Sequence, residues 1–173
     1  MERERPELHT RRNFILQQGL PSPSTEECAL RYSAVMFQPR VVGMVVVAGI
    51  VLQSAAVFLA LSAVLWWNVL LPQWNPFDAL YNRTFGARPE AIPLSAAPPP
   101  RRFAQGMAGS FAIAIGGSLI LGWPLAAYLL EAVMVAALSA LVFGRFCLGS
   151  TVYYLLRGET DFARRTVPWG RGL

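Results

Sequence analysis

Two long apolar blocks, residues 41–71 and 103–144, dominate the pattern of hydrophobic and polar positions along the chain. The first block contains no charged residue, and Glu131 is the only charged residue in the second. Apolar runs longer than about 18 residues are typical of membrane-spanning helices. The pattern therefore predicts an integral membrane protein of the all-α class.

Each block is longer than one membrane helix needs to be. A straight helix over residues 41–71 would be roughly 46 Å long, whereas the hydrocarbon core is about 30 Å thick. One long tilted helix and a hairpin that turns near Gln53 and Ser54 both stay open for this block. The second block divides at Gly122-Trp123-Pro124, because glycine favours helix ends and proline favours helix starts.

The positions of the basic residues decide the number of spans. All fifteen are arginine, and they lie before, between and after the two blocks. Four spans place every arginine on one side of the membrane, which the positive-inside rule makes cytoplasmic, whereas three spans divide them. We therefore predict four transmembrane helices in two hairpins, with both termini cytoplasmic.

A short amphipathic helix is predicted between the hairpins. In Asn75-Pro76-Phe77-Asp78, an N-cap residue is followed by a proline and by an acid in the first turn. Gly86 would end this helix, which we expect to lie in the membrane interface. Its apolar stripe consists of Phe77, Leu80, Tyr81 and Phe85.

The predicted organisation has five parts. They are a cytoplasmic N-terminal tail (1–38), transmembrane hairpin 1 (39–72), a cytoplasmic connector (73–102), transmembrane hairpin 2 (103–148) and a cytoplasmic C-terminal tail (149–173). The N-terminal tail contains a candidate helix with Ser24 as its N-cap and Glu26 and Glu27 in its first turn. Pro39 is expected to end this helix.

Small residues recur at every fourth position in both helices of the second hairpin. Small side chains let helix backbones approach closely in lipid, so we expect these residues to pack the hairpin. In the third span they are Gly106, Ser110, Ala114, Ser118 and Gly122, and in the fourth span they are Ala132, Ala136, Ala140 and Gly144.

Glu131 is a candidate functional residue, because a carboxyl group within a membrane span is costly. One interpretation gives it a role in moving a proton or a ligand. The other has it protonated, or bonded to Gln53, Ser118 or Tyr128 near the outer interface. The spans contain no second acid or cation that would continue a proton relay.

Cys147 lies where the fourth span meets the cytoplasm, and it is either a packing residue or a reactive thiol. A nearby arginine would favour the thiolate, whereas the C-terminus of a helix would disfavour it. Cys28 is the only other cysteine, and two cysteines make neither a disulfide framework nor a zinc cluster. The single histidine, His9, lies in the tail, so haem or metal ligation by histidine within the spans is excluded, and we predict no cofactor and no metal site. Basic residues of a membrane protein more often mark its cytoplasmic face than a nucleic-acid site, so we predict no nucleic-acid partner.

Four short motifs flank the predicted spans. They are Pro39-Arg40, Asn75-Pro76-Phe77, Pro100-Arg101-Arg102-Phe103-Ala104-Gln105 and Phe146-Cys147-Leu148-Gly149. Over roughly residues 38–156, the chain resembles a bacterial membrane-protein family, domain of unknown function 4395. The resemblance implies a four-span protein of the bacterial inner (cytoplasmic) membrane, and it implies no established activity.

The resemblance also bears on the chemistry of Cys147. In that family the last motif usually continues as Cys-Leu-Gly-Cys, whereas Ser150 takes the place of the second cysteine here. A lone thiol forms a mixed disulfide or a persulfide, but it cannot cycle through a disulfide within its own motif. Cys28 is on the same predicted side of the membrane as Cys147.

These features predict a non-catalytic accessory or structural subunit. Its tails would wrap a partner, and it would pack against membrane lipids and other integral membrane proteins in a larger complex. The first alternative is a membrane component that handles thiols or sulfur through Cys147, with a soluble redox or sulfurtransferase partner. The second alternative is a small transporter that uses Glu131.

Overall fold

The computed structural model describes residues 4–88 and 91–168, which contain α-helices, one 3-10 turn and no strand. The 3-10 turn is Pro72–Trp74. The α-helices are α1 (Glu4–Gln17), α2 (Thr25–Val35), α3 (Phe37–Leu52), α4 (Ala55–Leu70), α5 (Pro76–Thr84), α6 (Pro99–Ile120), α7 (Pro124–Val142), α8 (Leu148–Leu156) and α9 (Thr160–Thr166).

Three helical stretches in the described part of the chain are long and apolar enough to cross a membrane: Thr25–Leu52, Pro99–Ile120 and Pro124–Val142. The helix α4 is also apolar but has only 16 residues. Large apolar side chains cover the outside of these helices, and Val51 and Phe143 are 76% and 83% exposed. Such a surface is typical of a protein that is surrounded by lipid.

Both apolar blocks are divided into two helices. In the first block, Gln53 adopts a left-handed conformation, with φ 44°, and the Ser54 side chain caps α4. A single long helix over residues 41–71 is therefore excluded. In the second block, Gly122 has φ +68° and Pro124 is the first residue of α7, as the sequence predicted.

The start of α2 agrees with the prediction, but its end does not. Ser24 and Glu27 form a capping box at its N-terminus. The helix α2 ends at Val35, α3 begins at Phe37, and Pro39 lies in the first turn of α3. Proline is tolerated there, because the first N–H groups of a helix have no partner within the helix. The expectation that Pro39 ends the helix was therefore wrong.

The helix α4 packs antiparallel along α6. Leu59 lies against Gly116 near one end of the contact, and Ser62 Oγ donates a 2.9 Å hydrogen bond to the carbonyl of Gly109 in the middle. At the other end, the Arg102 side chain donates to a carbonyl in the last turn of α4. The buried apolar core also draws on α3 and α7: it consists of Val42, Val46, Phe58, Leu61, Leu65, Ile115 and Met134.

The residues predicted to form two tails are folded onto the helices. Phe14 and Ile15 of α1 are buried, and Gln17 Nε2 donates a 2.9 Å hydrogen bond to the carbonyl of Thr166, the last residue of α9. Phe14 and Met36 belong to a second apolar cluster that contacts the end of α7. Parts of both predicted tails are therefore packed within this chain and are not free arms for wrapping a partner, although Leu155 and Leu156 of α8 stay exposed.

We call the end of the bundle where α3 and α6 begin, and where α4 and α7 end, the polar end. The helix α5 lies there and begins as predicted, since Asn75 Oδ1 accepts a hydrogen bond from the Phe77 N–H. Tyr81 is buried, whereas Leu80 and Phe85 are about half exposed. The predicted stripe is therefore only partly turned into the protein.

Candidate functional site

A buried polar network joins α3, α5 and α6 at the polar end. Arg101 Nη2 donates to Asp78 Oδ1 at 2.7 Å and to Gln38 Oε1 at 2.8 Å. Gln105 Nε2 donates to the same Gln38 oxygen at 2.9 Å, and Asn75 Nδ2 donates to Asp78 Oδ2 at 2.9 Å. None of the five residues is more than 6% exposed. The two carboxylate oxygens are thus held by different donors.

The network holds the connector against two long apolar helices. An ion pair with this little exposure loses its hydration, and the loss is offset only when the geometry is good and further hydrogen bonds are made. The additional bonds from Asn75 and to Gln38 supply this support. The arrangement therefore acts as a structural clasp between segments that are far apart in the sequence.

The sequence did not predict this network. Asp78 was expected as an acid in the first turn of an interfacial helix and Asn75 as its N-cap, whereas Arg101 and Gln105 appeared only as parts of a motif. Asp78 and Arg101 nevertheless carried a signal, since both are charged and lie close to apolar helices in the sequence. A charged residue in such a position needs a partner if it is buried in the folded protein. Gln38, which accepts from both Arg101 and Gln105, carried no separate signal.

Glu131 is bonded to the turn between α3 and α4. It is 4% exposed, and its carboxylate oxygens each lie 3.3 Å from Gln53 Nε2, which donates to them. Of the other expected partners, Ser118 Oγ donates to the carbonyl of Ala114, and Tyr128 is exposed. This contact matches one of the structural interpretations of Glu131.

Cys147 is enclosed at the polar end beneath α1. It is 5% exposed and belongs to the apolar cluster that contains Phe14 and Met36. Its N–H donates a 3.1 Å hydrogen bond to Gln17 Oε1, and Ser150 Oγ donates to its sulfur at 3.2 Å. A soluble partner would therefore reach this thiol only if α1 moved away.

The position of Cys147 relative to the helices differs from the expectation. The helix α7 ends at Val142, and Arg145 turns the chain with a left-handed φ of 53°. Cys147 is then the N-cap residue of α8. The expectation that it lies at a helix C-terminus was wrong, and so was the argument against a thiolate that rested on that position.

The two cysteines have separate surroundings. Cys28 is 3% exposed, and its thiol donates a weak hydrogen bond, 3.9 Å long, to the carbonyl of Leu8 in α1. Both cysteines are free. The described residues contain no group of three His, Cys, Asp or Glu side chains that could hold a metal ion.

The close contact of α6 is made on another face than the predicted one. A Cβ atom on Gly109 or Gly116 would lie 3.0 Å from a side chain of α4, so these glycines set the distance between the helices. Among the predicted small residues, Gly106 and Ser118 are buried and Ala140 is partly buried. The exposed ones are Ser110, Ala114, Gly122, Ala132, Ala136 and Gly144.

Comparison with known proteins finds a family but no individual relative. No curated protein and no solved structure matches the chain. The family model described as Domain of unknown function (DUF4395) matches residues 32–158, which is most of the chain. The match includes the polar network, Glu131 and Cys147, whereas α1 and α9 lie outside it. The chain therefore belongs to the DUF4395 family.

Proposed function

We propose that α3, α4, α6 and α7 are four transmembrane helices in two hairpins, with α5 at the interface between them. The support for α4 is its antiparallel contact along α6, which is itself long enough to cross a membrane. Its 16 residues span about 24 Å, slightly less than the hydrocarbon core. Trp66, Trp67 and Trp74 near its end suit a membrane interface.

The proposed orientation places the polar end in the cytoplasm of a bacterial cell, with the protein in the inner membrane. The arginines lie before α3 or in its first turns, between α4 and the first turn of α6, or after α7, whereas the turns at Gln53 and Gly122 carry none. The positive-inside rule then assigns the polar end to the cytoplasm.

Cysteine labelling in intact cells tests this topology. Gln53→Cys should react with a membrane-impermeant maleimide from outside, because the first turn would face the periplasm. Arg83→Cys, in the exposed part of α5, should react only after the inner membrane is permeabilised. Labelling of both variants from outside would show that α4 does not cross the membrane, and labelling of Arg83→Cys alone would show the opposite orientation.

We infer that the protein is a non-catalytic accessory or structural subunit of a larger membrane complex. The observation that carries this proposal is that the described acidic and thiol groups of residues 37–147 are buried and bonded within the chain. Asp78 is paired with Arg101, Glu131 accepts from Gln53, and Cys147 is covered by α1. Each is at most 6% exposed, which favours a structural role over turnover of a substrate.

The small residues that α6 and α7 leave exposed are consistent with a neighbouring membrane protein. Ala132 and Ala136 on α7, and Ser110 and Ala114 on α6, face outwards. Small side chains let another helix approach closely in lipid.

Gentle solubilisation from the native membrane, followed by a native gel and mass spectrometry, tests the subunit proposal. The chain should migrate with other proteins in a fixed stoichiometry, and Ala136→Leu should reduce that association. Val133→Leu is the matched control, because Val133 is already a large exposed residue on the same helix. Migration of the wild-type chain alone or as a small oligomer would contradict the proposal.

A thiol function is the second candidate, because Cys147 occupies the N-cap position of α8 and its sulfur accepts a hydrogen bond from Ser150. It requires α1 to uncover the thiol. In native membranes, Cys28→Ser should then react with an alkylating reagent at Cys147, whereas the double variant with Cys147→Ser should not. An inert Cys147 would end this candidate. The contact between Gln53 and Glu131 gives the transporter alternative no comparable support.

A further inference from the structure

Two open cavities meet at Arg40, near the start of α3. One has a volume of about 500 Å³ and is lined by residues of α2, α3 and α5 and of the chain after α5. The other has a volume of about 470 Å³ and lies between α3 and α7. Arg40 lines both cavities, so its side chain lies where the first cavity meets the second.

The first cavity is amphipathic and positively charged. Arg40 and Arg88 line it together with Phe37, Tyr81 and Phe85. Arg40 is exposed and forms no ion pair with any described residue, and the Arg88 guanidinium lies 5.7 Å from the centre of the Phe85 ring. No acidic side chain is among the described residues that line this cavity. The two arginines therefore give the described lining a positive charge that suits an anion.

The second cavity is an apolar groove that opens to the outside of the bundle. Gly43, Met44 and Val47 form one wall, and residues of α7 with Phe143 form the other. Met44 is 64% exposed and Phe143 is 83% exposed. A Cβ atom on Gly43 would meet no atom within 4 Å, so the space beside this glycine is empty.

We propose that the two cavities together bind one anionic phospholipid, with its phosphate at Arg40 and an acyl chain in the groove between α3 and α7. The site rests on the proposed topology, which places Arg40 at the level of the cytoplasmic headgroups. Basic pockets beside transmembrane helices on that side bind anionic headgroups. An apolar groove that continues from the cation suits an acyl chain and not a free phosphate ion.

Native mass spectrometry of the purified full chain tests this site, with phosphatidylglycerol and phosphatidylcholine as probes. The wild-type chain should retain one molecule of phosphatidylglycerol in preference to phosphatidylcholine. Arg40→Ala should lower that retention about fivefold, because it removes one cation from the headgroup site. Arg83→Ala is the control, since Arg83 is an exposed arginine that lines neither cavity.

A second pair of variants tests the groove. Gly43→Leu should fill it and reduce the retention of phosphatidylglycerol. Gly117→Leu on α6 should behave as the wild-type chain, because its Cβ atom also meets empty space but lies outside the groove. Thermal unfolding in detergent identifies variants that are not folded. If Gly43→Leu does not fold, Val135→Trp fills the same groove from the α7 wall and takes its place.

Equal retention of the two lipids by the wild-type chain, or full retention by Gly43→Leu, would overturn the proposal. Displacement of the lipid by inorganic phosphate would also overturn it, because a plain anion site needs no acyl chain. The labelling of Gln53→Cys and Arg83→Cys tests the topology and does not depend on lipid retention. A failed lipid site and a wrong topology therefore give different results.

Discussion

Arg101 and Gln105, in the first half of α6, donate hydrogen bonds to α3, and Arg101 also pairs with Asp78 of α5, whereas Gly109 at the middle of α6 and Gly116 in its second half bring the helix backbone close to α4. The first half lies at the polar end, where charged side chains are clasped by directional bonds. The second half lies among apolar helices, where lipid is as apolar as the side chains and close packing has to hold the helices together. One helix is thus stabilised by two different kinds of contact.

The largest expected loss of stability comes from breaking the buried ion pair between Asp78 of α5 and Arg101 in the first half of α6. Asp78→Ala leaves the Arg101 guanidinium buried without its carboxylate, and breaking a buried ion pair costs about 3–5 kcal/mol. The free energy of unfolding in mixed micelles with sodium dodecyl sulfate measures this loss. Asp161→Ala, at an exposed acid in the first turn of α9, is the control. A loss below about 1 kcal/mol would mean that the network does not clasp the helices.

The second half of α6 is tested by a pair of adjacent glycines. Gly116→Leu places a Cβ atom 3.0 Å from the Leu59 side chain and 3.3 Å from the carbonyl of Ala55, and we expect it to destabilise the protein by about 3 kcal/mol. Gly117→Leu meets empty space, so it should change the stability by less than about 0.5 kcal/mol. Similar effects of the two variants in the same unfolding assay would refute close packing as the source of the difference.

The pH dependence of the free energy of unfolding tests a contribution from Tyr154 of α8, near the polar end. Tyr153 of α8 packs on Phe103 of α6, and the next residue, Tyr154, is buried. Burial, with smaller contributions from Glu159 and Tyr153, raises the pKa of Tyr154 to about 12 from the ordinary value of 10.0. The folded state therefore favours the neutral phenol.

The stabilisation by the neutral phenol is complete below pH 10 and is lost as the pH rises towards 12, because the unfolded chain ionises first. A difference of two pKa units corresponds to about 2.7 kcal/mol. The test compares the unfolding of the wild-type chain with that of Tyr154→Phe across this range. A variant with the same pH dependence as the wild type would exclude Tyr154 as its source.

The smallest expected effect lies in the middle of the contact between α4 and α6. Ser62→Ala removes the 2.9 Å hydrogen bond to the carbonyl of Gly109, which should cost about 0.6 kcal/mol, the average for such bonds between membrane helices. Ser110→Ala is the matched control, because its hydroxyl donates to Gly106 in its own helix. A larger loss for Ser110→Ala would contradict the assignment of the stabilising bond to Ser62.

The sequence predicted local features well and long-range contacts poorly. The caps at Ser24 and Asn75 and the break at Gly122 were predicted, because each depends on neighbouring residues only. The stop at Pro39 was wrong, since the effect of a proline depends on where the next helix begins. The candidate residues Glu131 and Cys147 were found as unusual residues beside or within apolar blocks, but most of their partners were not.

What the sequence by itself determined is the set of apolar segments, the break at Gly122 and the membership of the DUF4395 family. The tertiary structure alone decided which residue pairs with Arg101, what covers Cys147 and which glycines contact α4. Gln38 and Arg101 are 63 positions apart, and Gln17 and Cys147 are 130 positions apart. Patterns of neighbouring residues do not encode such pairs, because the contacts exist only once separate helices have packed against one another.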